Sequence, residues 1–337
     1  MKSIFRHNYE DVISLDNLIL AWQEFIIDKK KKQDVMLFRL NLMDNIIQLH
    51  NDLANQTYQH GGYYEFYITD PKKRHIHKAS VRDRLLHHAV YRILYPFFDK
   101  TFIYDSYSCR KNKGLHKAIN QFRRYHRKVS QNDSRPCWIL KCDIKKFFAN
   151  IDHSILFNVL KEYITDTKLL NLLKNIIDSF GVDKQKTRGL PLGNLTSQLF
   201  TNVYMNILDQ FVKHKLKAKY YIRYADDFVF MADDKKQLNK IIPKIKEFLE
   251  KELKLYLHEN KLFIESINSG VDFLGWVHFS KYRIPRKKTK ARAINRVEEK
   301  PVNPTLQSYL GLFSHGNTHK FQKEIKSTYW LFAESLD

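Results

Sequence analysis

The chain has 337 residues, with 58 Lys and Arg against 36 Asp and Glu and a formal net charge of +22. Hydrophobic residues make up 43% and include 23 Phe and 19 Tyr, which excludes a disordered polycation and supplies one large core or two ordinary ones. No apolar run nears the roughly 18 residues of a membrane span, the opening MKSIFRHNYE lacks a signal-peptide hydrophobic region, and Cys109, Cys137 and Cys142 form no CxxC pair.

In chain order, residues 11–56 are predicted helical, with Leu15, Leu18, Ile19, Trp22, Phe25 and Ile26 at three- and four-residue spacing. Gly61–Gly62 opens a strand-like stretch, YYEFYIT, which Pro71 ends. Helical periodicity returns at 80–98 and at 115–128. Trp138–Ile144 has the pattern of a buried strand, and a helix starts near Ser154. The turn at Gly189–Gly193 leads into a helix with an apolar stripe of Leu195, Leu199, Val203, Ile207 and Phe211. Tyr220–Met231 forms two short strands meeting at Ala225-Asp226. Residues 235–254 are helical, 271–277 strand-like and 301–337 helical. The fold class is therefore α+β.

The positive charge is clustered. No acid lies between Asp105 and Asp133, a stretch that holds Arg110, Lys111, Lys113, Lys117, Arg123, Arg124, Arg127 and Lys128. Lys281–Arg296 has eight basic residues among sixteen and no acid, and Lys29–Lys32 is a shorter run with the pattern of a solvated face. Tyr107, Tyr125 and Tyr282 sit in or beside the two long runs. Cations that bind phosphates, interleaved with aromatics that stack on bases, point to a nucleic-acid groove.

Against this surplus, two adjacent acids stand out in YYIRYADDFVFM. Asp226 and Asp227 at a tight turn between hydrophobic strands repel by about 4 kcal/mol at ~4 Å and an effective dielectric near 20. Mg²⁺ bound by one or two carboxylates and substrate phosphates removes that cost. Asp143, at the end of a separate strand in LKCDIKKFF, adds a third carboxylate. Such a set could hold two metals about 4 Å apart and clamp an in-line phosphoryl displacement. Asp233-Asp234 has the pattern of an ordinary solvated turn.

YADD between hydrophobic strands resembles the catalytic signature of reverse transcriptases, and the neighbouring motifs follow that family's order. They are PKKRHIHKASVRDRLLHHAV (71–90), DSYSCRKNKGLHKAI (105–119), LKCDIKKFFANIDH (140–153), GLPLGNLTSQLFTNVYMNILD (189–209), LYLHENK (255–261) and VDFLGW (271–276). The resemblance covers about residues 65–280. It implies a right-hand polymerase fold, with a helical extension at 1–60, fingers and palm at 61–280 and a basic helical thumb at 281–337. It also implies an RNA-directed DNA polymerase, a nucleotidyltransferase in the cytoplasm of a bacterium or archaeon or encoded by a phage.

Carried over by residue, the resemblance makes Asp143, Asp226 and Asp227 the ligands of two Mg²⁺ ions, which Mn²⁺ could replace. Lys261 matches the lysine that protonates departing pyrophosphate. Lys72 and Arg74 match cations that hold the dNTP triphosphate, and Phe148 the bulky side chain that excludes a 2′-hydroxyl. Leu192, Gly193 and Gln198 match the nucleotide pocket. Arg110, Lys113, Phe273, Gly275, Trp276, Arg286, Lys287 and Lys288 are expected at the RNA template and the DNA or RNA primer. Leu192-Gly193 with Ser197-Gln198, in place of the retroviral pattern, resembles the reverse transcriptases of diversity-generating retroelements, as does SYLGLFSHGN (308–317). Those enzymes copy a template-repeat RNA with errors at adenines and work with a small basic oligomeric accessory protein.

The alternatives are a retron, a group II intron-like enzyme or an antiphage defence polymerase. GxxxSQ and the short remainder after residue 280 argue against the intron type. A non-catalytic RNA-binding protein fits less well, because all three carboxylates are present. A zinc site through His75, His77, His87 and His88 is not expected, since no Cys lies nearby.

Overall fold

The computed structural model describes residues 4–70, 72–183 and 185–333. Pro71 and the last four residues of the expected C-terminal helix lie outside them. Contacts divide the chain into two compact units, each discontinuous in sequence, where the motif order suggests three consecutive segments. The first comprises Met1–Arg110, Ile144–Lys217 and Lys244–Leu257; the second comprises Lys111–Asp143, Ala218–Pro243 and His258–Asp337.

In the first unit the helical stretch at 11–56 is four helices, Tyr9–Ile13, Leu15–Phe25, Gln33–Leu40 and Leu42–Ala54. Ser14 ends one and caps the next, its Oγ accepting from the Asn17 amide, the job for which a short hydroxyl side chain is favoured. Strands β1 (Tyr63–Ile68) and β2 (Arg74–Ala79) pair antiparallel, with Glu65 opposite His77 and Tyr67 opposite His75. β2 is not apparent in the sequence, because Arg, His and Lys dilute its alternation. The helix Val81–Thr101 packs on Leu15–Phe25 and on Leu195–Gln210. Leu195–Gln210 is buried well beyond its apolar stripe, including Thr201, Asn202 and Asn206. Asn202 meets that burial by donating from Nδ2 to the Ser108 carbonyl at 2.9 Å, as interior amides require.

The second unit holds a four-stranded antiparallel sheet in the order β4-β5-β3-β6. Its strands are β3 (Trp138–Asp143), β4 (Tyr221–Tyr224), β5 (Asp227–Ala232) and β6 (Phe263–Ser266). β7 (Val271–Phe273), β8 (Trp276–His278) and β9 (Arg283–Pro285) form a second antiparallel sheet. Most of the basic run at 281–296 is a helix, Lys287–Glu299, that turns Ala293 and Val297 into a core with Leu306, Phe313, Phe321 and Ile325. Its cations are thereby left on the outward positions. No helix among the described residues is long and apolar enough to cross a membrane.

His278 is an acid-sensitive point of this unit. Its ring packs 4.3 Å from Phe122, and Nε2 lies 3.3 Å from the Phe273 carbonyl. Burial pushes its pKa down to about 3, aided by nearby Arg283 and His126 and opposed by the Phe273 contact. The folded state stays neutral while the unfolded imidazole protonates near 6.5, so stability falls as pH drops from about 6.5 to about 3 and loses nothing more from this group below that. A His278→Phe variant is expected to show a flatter acid limb over that window in chemical denaturation.

Candidate active site

The carboxylates meet because of strand register. β3 and β5 run antiparallel with Asp143 directly opposite Asp227, and β4 pairs with β5 so that Tyr224 faces Asp227 across the two-residue turn Ala225-Asp226. Opposed positions in such a ladder have Cβ atoms about 5 Å apart, and like charges there repel. Ala225 holds a left-handed φ of +56°, a conformation rare for a residue with a Cβ. Buried Arg223 supports the turn by donating from Nη1 to the Ala225 carbonyl at 3.1 Å.

Two lysines answer the negative charge. Lys261 Nζ donates to Asp143 Oδ1 at 2.8 Å. Buried Lys141, on β3 and two residues before Asp143, brings Nζ to 3.8 Å from Asp227 Oδ2. Sequence reasoning missed Lys141 and Arg223. Their signal was a cation inside an otherwise apolar strand, which is rare without a buried partner.

Burial pushes the Asp227 carboxyl up to about 7; Lys141 opposes this, and Asp143 and Asp226 reinforce it. Asp227 Oδ1 is buried with no hydrogen-bond partner. An unpartnered buried carboxylate oxygen within a set of hard oxygen donors suits Mg²⁺ or Mn²⁺.

The residues expected at the nucleotide lie in the first unit, where backbone bonds connect three of their segments. Arg74, the first residue of β2, and Lys72, two residues before it, are exposed. The His77 amide donates to the Leu192 carbonyl at 3.0 Å, and Asn194 Nδ2 donates to the His77 carbonyl at 3.0 Å, which ties the turn to β2. Gly193 takes φ +110°, and a Cβ there would sit 3.0 Å from Ile76 Cγ2, so the position requires glycine. The Leu190 amide donates to the Phe148 carbonyl at 2.8 Å. Phe147 is core and Phe148 half-exposed. Gln198 is half-buried in the first turn of its helix.

The template and primer residues divide. Lys287 and Lys288 are exposed, and Lys113 is half-buried. Arg286 is half-exposed and pairs with Asp272 at 2.5 Å. Gly275 sits with Leu274 in a two-residue hairpin turn, both at positive φ (+85° and +51°), the geometry of a type I′ turn. Three expectations need correction. Arg110 is engaged internally, donating to Asp99 Oδ1 at 2.7 Å and to the carbonyls of Asp99, Ile103 and Ser106. Phe273 and Trp276 are interior, 0% and 2% exposed, because strand alternation turns both into the sheet's packed face. Tyr107, read as a stacking aromatic, is also buried.

A family model described as reverse transcriptase (RNA-dependent DNA polymerase) matches residues 69–278, more than half of the chain and inclusive of all three carboxylates. The chain belongs to the reverse transcriptase family. Its activity class is therefore RNA-directed DNA polymerase. Among curated relatives, Protein YkfC of Escherichia coli is 25% identical over 72% of this chain and 71% of its own length. The group II intron-encoded protein LtrA of Lactococcus lactis is 24% identical over 96% of this chain and 64% of its own length. A putative COX1/OXI3 intron 2 protein of Saccharomyces cerevisiae is 22% identical over 59% of this chain, and only 29% of its length is spanned. The solved telomerase of Candida albicans, in complex with a fragment of telomeric RNA, shares the fold at TM-score 0.53 and 11% identity, over 83% of this chain and 58% of that one. The fold class is the right-hand polymerase's, as the motifs implied.

Proposed function

We propose that this reverse transcriptase copies an RNA template into DNA from dNTPs, with Asp143, Asp226 and Asp227 holding two Mg²⁺ ions. The observation that carries this is the register that sets Asp143 opposite Asp227 beside the left-handed Ala225 turn. Bound there, the metals would neutralise charge on the attacking and leaving oxygens. Lys261, stationed on Asp143, would protonate departing pyrophosphate. Lys72 and Arg74 would hold the triphosphate by point charge and bidentate guanidinium. The half-exposed Phe148 ring would reject a ribose 2′-hydroxyl, with Leu192, Gly193 and Gln198 completing the pocket. Lys113, Arg286, Lys287, Lys288 and the Gly275 turn are the proposed nucleic-acid contacts, and Phe273 and Trp276 their support.

The intron-encoded relatives favour an intron-type enzyme over a diversity-generating retroelement enzyme, reversing the weight that GxxxSQ carried in the sequence. The second reading keeps one observation of its own: Leu192, Gly193, Ser197 and Gln198 depart from the retroviral pattern. An aliphatic side chain where an amide would stand removes a donor and an acceptor at the base pair, which lowers the penalty for a mismatch. Sequencing cDNA made on a defined RNA separates the two. Errors concentrated at template adenines, and reduced in a Leu192→Gln variant, support the retroelement reading and its accessory protein. Errors spread evenly over the four bases support the intron type.

A further inference from the structure

We propose that Glu65, His75 and His77 form a binding site for a borderline divalent cation of the Zn²⁺ class on the β1–β2 hairpin, made of residues distinct from the carboxylate triad. His75 and His77 are two apart on β2, so both project from one face, and Glu65 stands opposite His77 in the ladder. His75 Nε2 is 3.0 Å from Glu65 Oε2, and His77 Nε2 is 3.8 Å from Oε1. One ligand atom from each of the three lies within 4.8 Å of the others. A tetrahedral Zn²⁺ with bonds of about 2.0–2.1 Å holds its donors about 3.4 Å apart, so a small side-chain closure completes the triangle. Two imidazoles and a carboxylate leave a fourth position for solvent or a ligand.

The surroundings favour this use of the histidines. Tyr67 stacks on His75 at 4.5 Å and 10°, and Phe180 meets His77 edge-on at 4.5 Å, which sets both rings. His77 Nδ1 is buried without a partner, leaving Nε2, facing Glu65, as the ring's polar outlet. An exposed His75–Glu65 ion pair alone is worth little and leaves His77 unexplained. His87 and His88 do not join: His87 is buried against His60, with 3.1 Å between their Nε2 atoms, and His88 packs on Phe25. The third ligand is Glu65, which reaches the two histidines only through strand pairing. A bound cation would stiffen the strand that begins with Arg74 and whose His77 amide holds Leu192.

The test is Co²⁺ titration of tag-free, full-length protein in excess Mg²⁺, read by the visible bands of four-coordinate Co²⁺ and by calorimetry, with Zn²⁺ as competitor. One Co²⁺ equivalent is expected, retained in Asp226→Ala and bound at least about tenfold more weakly in His75→Ala and in Glu65→Gln. Glu65→Gln is an exposed isosteric change, and metal-free melting confirms that each variant folds. Unchanged binding in His75→Ala and Glu65→Gln, a signal lost only with Asp226→Ala, or no binding at all would overturn the proposal.

Discussion

Asp226→Ala is expected to lower RNA-templated primer extension by roughly a thousandfold or more, about 4 kcal/mol of transition-state stabilisation, with the melting midpoint held or raised. The second half of that expectation distinguishes a functional carboxylate from a structural one. Asp226 occupies a strained turn beside two like charges, so removing it relieves repulsion in the folded state while removing a proposed metal ligand. Asp143→Ala should cost a similar amount in activity, because it takes away another proposed metal ligand together with the carboxylate that holds Lys261. Lys261→Ala should be milder, roughly a hundredfold in kcat as for loss of a general acid, and Lys261→Arg should not restore it, because a guanidinium keeps its proton. Equal extension by wild type and Asp226→Ala would remove the triad from the chemistry.

Trp276→Ala is expected to cost about 3–5 kcal/mol of stability, the range for emptying a buried indole site, and to lower the melting midpoint by roughly 10 °C. Trp276 pairs with Phe273 across the β7–β8 turn and with Pro285 on β9, and Arg283 lies 5.6 Å above its ring. Gly316 packs so closely that a Cβ there would stand 2.1 Å from Trp276 Cζ3. The site therefore cannot collapse easily around a smaller side chain, which places the cost toward the upper end. Differential scanning calorimetry of the two proteins measures it. A loss of primer affinity at unchanged stability would instead mean that the indole contacts nucleic acid.

What was legible in the sequence follows from how far apart the interacting residues lie. Asp226 and Asp227 could be read because hydrophobic strand flanks a costly local charge pair, and Asp143 because the same contrast recurs at a strand end. The rest depends on pairing that local pattern does not carry. β2 is rich in Arg, His and Lys, so its alternation is hidden, and with it the facing of Glu65 and His77. Lys141 and Arg223 stand singly in apolar strands, and only the pairing shows that both are buried beside the turn and its carboxylates. Arg110 looked like the other cations of its acid-free run, yet the carbonyls of Asp99, Ile103 and Ser106 and the Asp99 carboxylate take its donors. The VDFLGW motif marked the right hairpin, but not that Phe273 and Trp276 face inward while the Leu274-Gly275 turn stays partly open.

The most direct measurement is primer extension by the purified full-length chain on an RNA template annealed to a labelled DNA primer, with four dNTPs and Mg²⁺. The expected product is cDNA that reaches the template's end, requires the RNA strand, stops on chelation of the metal and falls sharply when rNTPs replace dNTPs. A folded protein that binds the duplex yet adds no nucleotide with Mg²⁺ or Mn²⁺ would contradict it.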